Sequence, residues 1–261
     1  MNLFILLDLE GIPGVTDIGY MDRQGEKYQD ACRYLTRSMN VAAEAAFSAG
    51  VDNVYYLDGH GGGGNIIVEE VDKRAVKCDI NEWQDLIISG KIDFQIELGS
   101  HARAGTIAGF LDHTFSSKEF FAYKINGIEM SEYSTHALFC ATHGVPIIAC
   151  IGDEVACQQA KEYNPTVYTG AVKIAKIRNE ATDYANGYEI IKDTVIEAIK
   201  NYKSVKLYNL ESPYTVQLTY YRTDMCDGVM ARESKNVTRV DARTVSKTLE
   251  KINTYWDVTR F

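Results

Sequence analysis

An α/β fold, built on a mostly parallel sheet with flanking helices and completed by a smaller C-terminal α+β part, is the class this sequence predicts. Three observations carry that expectation. The chain opens on an apolar strand-like run (2–8), continues with a helical pattern (25–50), and then offers a second strand (51–58). Strand, helix and strand at these lengths form a βαβ unit, so the two strands should be parallel neighbours. Further apolar strands at 93–99 and 145–154 alternate with helical segments, and beyond about residue 165 the strands shorten around one helix.

Each element has its own grounds. In 25–50, Ala31, Leu35, Met39 and Ala42 or Ala46 recur at helical spacing, and Gly50 supplies the stop. Residues 81–90 read as a short helix. In 118–127, Asn126-Gly127 marks a tight hairpin turn. Residues 131–144 form a helix that Gly144 ends, and a helix follows the strand at 145–154. The later part offers strands at 166–174, 214–221 and 237–242 around a helix at 187–202. These patterns divide the chain into an α/β metal-binding core, 1–165, and a smaller α+β part, 166–261, with no Pro/Gly/Ser linker between them.

Bulk properties narrow the function classes. With 46% hydrophobic and 24% charged residues and 4 prolines, the chain has the composition of a packed domain and not of a disordered one. A net charge of −9, with no run of Lys or Arg, argues against nucleic acid as a partner. No apolar run approaches the ~20 residues needed to span a bilayer, and the N-terminus lacks a basic segment, so a cytoplasmic address is expected. The 6 cysteines (Cys32, Cys78, Cys140, Cys150, Cys157 and Cys226) form no CxxC pair and read as reduced thiols.

Open parallel sheets bind ligands at the carboxyl ends of their strands. Those ends here carry Asp8 and Glu10, then Asp58 and His60, then His101, then Asp153 and Glu154. Taken singly, each has an ordinary reading: a turn residue, a helix cap, a solvated carboxylate or a hydrogen-bonded histidine. Together they bring carboxylates and imidazoles to one edge, the mixed donor set that Zn2+ or Mn2+ accepts. Asp58 and Asp112 are candidates to orient the ligands.

The stretch DGHGGGGN (58–65) tests that reading. Its glycines match GxGxxG, but the pattern follows the second strand, and 65–76 do not open a strong helix, which weakens a dinucleotide site. HGGG also occurs in esterase oxyanion loops, yet the chain has no GxSxG elbow. A histidine ligand, with glycines clearing space around it, remains. A run of glycines also leads one to expect a loose loop. His113 lies in a loop twelve residues beyond His101, where a reactive role is sterically allowed. His136, His143 and Thr135 read as helix-surface or packing residues, and Glu132 as a carboxylate favoured at a helix start.

The segments LDLEGIPGV (7–15), DGHGGGGN (58–65), GSHARAGT (99–106), FLDHT (110–114), NGIEMSE (126–132), HGVPIIACIGDE (143–154) and RVDART (239–244) run across nearly the whole chain. In that order, the sequence resembles the DppA-type D-aminopeptidases, peptidase family M55. The resemblance implies a dinuclear zinc aminopeptidase assembled as a ring-like homo-oligomer. It implies Asp8, Glu10, His60, His101 and Glu132 as metal ligands, with Asp8 bridging two Zn2+ per subunit, and His113 as the catalytic residue. The expected substrates are short peptides attacked from the N-terminus. Ser131, Tyr133 and Ser134 around Glu132, and the all-glycine run after His60, depart from the family pattern and bear on substrate size. Two other readings use the same residues: a two-metal phosphoesterase, for which Arg103 is the one obvious phosphate clamp, and a non-catalytic nucleotide-binding protein.

Overall fold

Residues 1–232 and 236–261 are described by a computed structural model. The chain runs β1 (Asn2–Leu7), α1 (Tyr28–Ser48), β2 (Asn53–Asp58), β3 (Ala75–Lys77), α2 (Ile80–Ile88) and β4 (Phe94–Ser100). It continues with β5 (Phe120–Ile125), β6 (Ile128–Glu129), α3 (Glu132–Thr142), β7 (Ile147–Asp153), α4 (Glu154–Tyr163), β8 (Tyr168–Ile177) and β9 (Glu180–Asp183). The last third holds α5 (Gly187–Lys200), β10 (Tyr214–Tyr220), α6 (Thr223–Met230), β11 (Thr238–Arg239), β12 (Thr244–Leu249) and α7 (Tyr255–Thr259).

Two sheets result. The larger has strand order β3-β2-β1-β4-β7-β8-β9, parallel throughout except for the antiparallel edge strand β9. The smaller, β11-β12-β10-β5-β6, is antiparallel. The expected α/β class is therefore present, and β1 shows why it forms. Alternate side chains of a strand point to opposite faces. Leu3, Ile5 and Leu7 join one apolar cluster with Leu35 and Met39 of α1 and Ile191 and Val195 of α5. Phe4 and Leu6 join a second with Trp83 of α2, Phe139 of α3, and Tyr123 and Leu218 of the small sheet. A strand covered on both faces can be apolar throughout, as this one is, and each large side chain so buried contributes roughly 1.5–3 kcal/mol.

The strands beyond residue 165 are divided between the two sheets. β8 and β9 complete the large sheet, β8 lying parallel to β7 after the α4 crossover. β10 pairs instead with β5, whose hairpin to β6 turns on Asn126 and Gly127, both at positive φ (52° and 78°). Of the strand expected at 237–242, only Thr238–Arg239 pairs. All 6 cysteines are free and buried. Among the described residues, no helix is long and apolar enough to cross a membrane.

From β1 the chain crosses to β2 and β3 on one side, then returns to β4 on the other, so the strand order reverses between β1 and β4. Such a switch point opens a crevice at the carboxyl ends of the strands. Here backbone hydrogen bonds continue past the end of β1, from Asp8 N to the Leu98 carbonyl and from Gly11 N to the Gly99 carbonyl, both 2.8 Å. Gly99 adopts φ +99°, and a Cβ added to it would sit 1.9 Å from the Asp8 carbonyl oxygen. The β4–β7 register shifts at the same point, between Leu98 and Ser100. A bulge of this kind re-aims the residues that follow, and His101 is the second of them. Gly99→Ala is expected to lower stability by at least about 3 kcal/mol, read from the urea unfolding midpoint, because both the left-handed backbone and the overlap oppose a side chain.

Candidate metal centre

Asp8 follows β1 directly, and its two carboxylate oxygens meet different histidines. Oδ1 lies 3.1 Å from His60 Nδ1, and Oδ2 lies 3.3 Å from His101 Nε2. Glu10 Oε2 approaches His60 Nδ1 at 2.9 Å, and Glu132 Oε1 approaches His101 Nε2 at 3.4 Å. Two compact donor sets follow: Asp8, Glu10 and His60 in one, and Asp8, His101 and Glu132 in the other. Glu10, His101 and His113 form a third close group, so Glu10 reaches towards both sets. His113 Nε2 stands 3.7 Å from Glu132 Oε1, and its ring stacks on His101 at 4.1 Å between centroids, 6° from parallel.

The glycine loop holds His60 by its backbone. Gly61, Gly62, Gly63 and Gly64 all have positive φ (54° to 86°), and an added Cβ on Gly62 or Gly64 would meet nothing within 4 Å. Conformation, not crowding, thus requires glycine at those two positions. The loop is also anchored where the sequence suggests looseness. Arg23 donates to the carbonyls of Gly61 (3.1 Å) and Gly63 (2.9 Å), and Asn65 Nδ2 donates to the His60 carbonyl (2.7 Å). Asp58, buried at the end of β2, accepts from Asn65 N and Ile66 N at 2.6 and 3.2 Å. It therefore positions His60 through the loop and does not touch the imidazole.

A second loop carries His113. Ala108, Leu111 and Phe115 are left-handed at φ 57°, 48° and 62°, a conformation that bulky residues adopt only when their surroundings impose it. Leu111 and Phe115 are held by hydrogen bonds. Leu111 N–H donates to the Arg178 carbonyl (2.7 Å), and the Leu111 carbonyl accepts from His113 Nδ1 (2.8 Å). Phe115 N–H donates to Glu132 Oε1 (2.7 Å). Asp112 accepts from Gly105 N and Thr106 N (2.8 and 3.2 Å) and pairs with Arg178 at 3.0 Å, so it shapes the loop from behind without contacting a histidine. Glu132 opens α3 in the first turn after Ser131, whose hydroxyl accepts from Ser134 N.

Electrostatics bind the group together. Burial disfavours the charged form of Asp8, yet His101 and His60 outweigh it and hold the carboxyl well below the usual range. Burial likewise opposes charge on His60, but Glu10 and Asp8 push it up to about 11. His101 is raised well above its ordinary value against burial, by Glu132 and Asp8. Glu132 is lowered despite burial, mainly by His101. His101 Nδ1 can donate to the Ala102 carbonyl at 3.0 Å, while its buried Nε2 has no hydrogen-bond partner and faces two carboxylate oxygens. An unpartnered imidazole nitrogen among carboxylates fits a divalent cation, and the N/O donor set suits zinc.

Other strand-end residues lie apart from these sets. Asp153 caps α4 through Ala156 N (2.7 Å), and burial raises its carboxyl. Glu154 accepts from the Tyr184 hydroxyl. Arg103 faces Glu129 and Glu162 outside the cavity. His143 ends α3 against Phe139. Two arrangements have no local signature in the sequence. Behind the donor sets, Glu97 pairs with His136 Nδ1 (3.3 Å), whose Nε2 meets the Tyr255 hydroxyl (3.0 Å), and His136 and Tyr255 line the same cavity as Asp8. From β8, the fully buried Lys173 donates to the Glu10 carbonyl (2.9 Å) and to the Val15 carbonyl, and burial brings its ammonium down to about 8. Only the three-dimensional pairing of distant strands makes either visible.

Comparisons with known proteins bear on the fold and the family of the chain. The D-aminopeptidase of Bacillus subtilis (strain 168) is 27% identical over 215 residues, covering 79% of this chain and 76% of that protein. Among solved structures, the fold matches the "Zn-dependent D-aminopeptidase DppA from Bacillus subtilis, a self-compartmentalizing protease", with a TM-score of 0.91. That match covers 99% of this chain and 95% of the other at 21% identity. A family model for the D-aminopeptidases matches residues 1–261, from one end of the sequence to the other. On that match, the chain belongs to the D-aminopeptidases of peptidase family M55.

Proposed function

We propose that this chain is a zinc-dependent aminopeptidase that uses two zinc ions per subunit to remove N-terminal residues from short peptides containing D-amino acids. The observation that carries the reading is Asp8, whose two oxygens face two different histidines. In this reading Asp8, Glu10 and His60 hold one ion, and Asp8, His101 and Glu132 hold the other. Bound zinc supplies Lewis-acid polarisation of a carbonyl and lowers the pKa of water. The protein's own groups do the rest. The donor sets line a cavity of about 760 Å³, in which the N-terminal end of a short peptide can lie beside them. His113, its ring fixed by the Leu111 carbonyl, is the group that takes up or gives back a proton at Nε2. We extend to this chain the homo-oligomeric assembly implied by the word "self-compartmentalizing" in the description of the Bacillus subtilis structure. A solution mass several times 29.2 kDa is expected from light scattering.

The decisive assay pairs metal analysis with a panel of D- and L-aminoacyl peptides beside p-nitrophenyl phosphate. Stoichiometric zinc with peptide hydrolysis is expected; protein without bound metal, or one that cleaves only the phosphate ester, would sink the reading. His60→Ala should lose zinc and activity together. His113→Ala should keep its zinc and lose at least about 100-fold in kcat. Zinc lost from His113→Ala would show that its role is misassigned. Proton uptake by His60 and His101 sets the metal's competition. Both are raised, so in the metal-free protein they carry protons at neutral pH that binding must displace. Zinc addition at pH 7 should release about two protons, read by calorimetry in buffers of different ionisation enthalpy, and apparent affinity should rise with pH.

A further inference from the structure

The cavity over the candidate centre sorts its charges by depth. Its carboxylates are Asp8, Glu10 and Glu132, with side chains 17%, 4% and 23% exposed. The lysine and arginines that line it are Arg23, Lys118 and Arg178, all exposed. In a chain of net charge −9, three exposed cations lining one cavity contrast with the acidic balance of the whole. Two of them are partly committed: Arg23 to the glycine-loop carbonyls, and Arg178 to Asp112. Lys118 follows Ser116 and Ser117 and makes no hydrogen bond or ion pair among the described residues.

A short peptide attacked from its N-terminus carries a free carboxylate at its other end, and the exposed cations are of the sign to receive it. With its N-terminal end at the centre, where zinc would offset the three carboxylates, the peptide presents its carboxylate end to the cations that line the same cavity. We propose that Lys118, supported by Arg178 and Arg23, forms a recognition subsite for the C-terminal carboxylate of the peptide. The inference rests on the aminopeptidase reading above and adds to it a reason for preferring short substrates. Each further residue carries the carboxylate about 3.5 Å onward, so a fixed cation subsite favours one substrate length when the N-terminal end stays at the centre. Lys118 is exposed, so its contact with a carboxylate would be a modest one, and the two neighbouring guanidiniums of the cavity lining would add to its attraction.

The test compares the best-cleaved dipeptide of the panel with the same dipeptide carrying a C-terminal amide. In the wild type, kcat/KM should favour the free acid. In Lys118→Gln the ratio of free acid to amide should fall about five- to tenfold, chiefly through KM, and in Lys118→Glu it should fall further. Zinc analysis of the same samples separates loss of the centre from loss of the subsite. A ratio that both variants leave unchanged, while both substrates are still cleaved, overturns the subsite alone. Failure of the wild type to cleave either peptide overturns the aminopeptidase reading and the subsite with it.

Discussion

Between the ends of β1 and β4, the backbone of Asp8 lies so close to Gly99 that a single added carbon would overlap the Asp8 carbonyl oxygen. The candidate centre depends on that contact. It keeps the segment after β1 hydrogen-bonded to the end of β4, and from those neighbouring ends Asp8 Oδ2 and His101 Nε2 meet at 3.3 Å. Gly11 serves the same approach, since a Cβ there would lie 2.2 Å from the Ser100 carbonyl oxygen. Glycine at these positions thus permits the backbone pairing, and the pairing brings together the side chains that can share a cation.

Charge accounts for much of the remaining order. Three carboxylates gathered in one cavity repel one another, and in the metal-free protein His60 and His101 offset that repulsion by holding protons. A divalent ion between the same atoms does this at shorter range and frees the imidazoles to act as neutral donors. The donor set contains no thiolate: all 6 cysteines are buried, and none belongs to the clusters. Oxygen and imidazole donors together favour zinc over thiophilic ions.

Part of this was legible in the sequence because it is local. The apolar runs, the Gly50 and Gly144 stops and the Asn-Gly turn each depend on a few neighbouring residues, and each stands where the pattern puts it. The convergence of Asp8, Glu10, His60 and His101 followed from topology alone, because parallel strands end at one edge. Glu132 did not follow, since a carboxylate in the first turn of a helix has a sufficient local explanation. Its approach to His101 and to the Phe115 amide is a long-range fact. The sharing of strands between the two sheets was hidden for a similar reason: β8 and β10 carry comparable alternating patterns, and only their partners tell them apart. The firmness of the glycine loop comes from Arg23, about forty positions upstream.

Lys173 gives the architecture a further meaning. Its ammonium, reached from β8, is fastened to the carbonyls of Glu10 and Val15 on the segment that leaves β1. A fragment ending near residue 165 would keep all five acidic and imidazole side chains of the two donor sets and still lack this fastening. The centre is therefore not portable as a stretch of sequence: its ligands come early in the chain, but part of the scaffold that keeps them in register arrives later, so the polypeptide must be made well past them before the segment after β1 can settle.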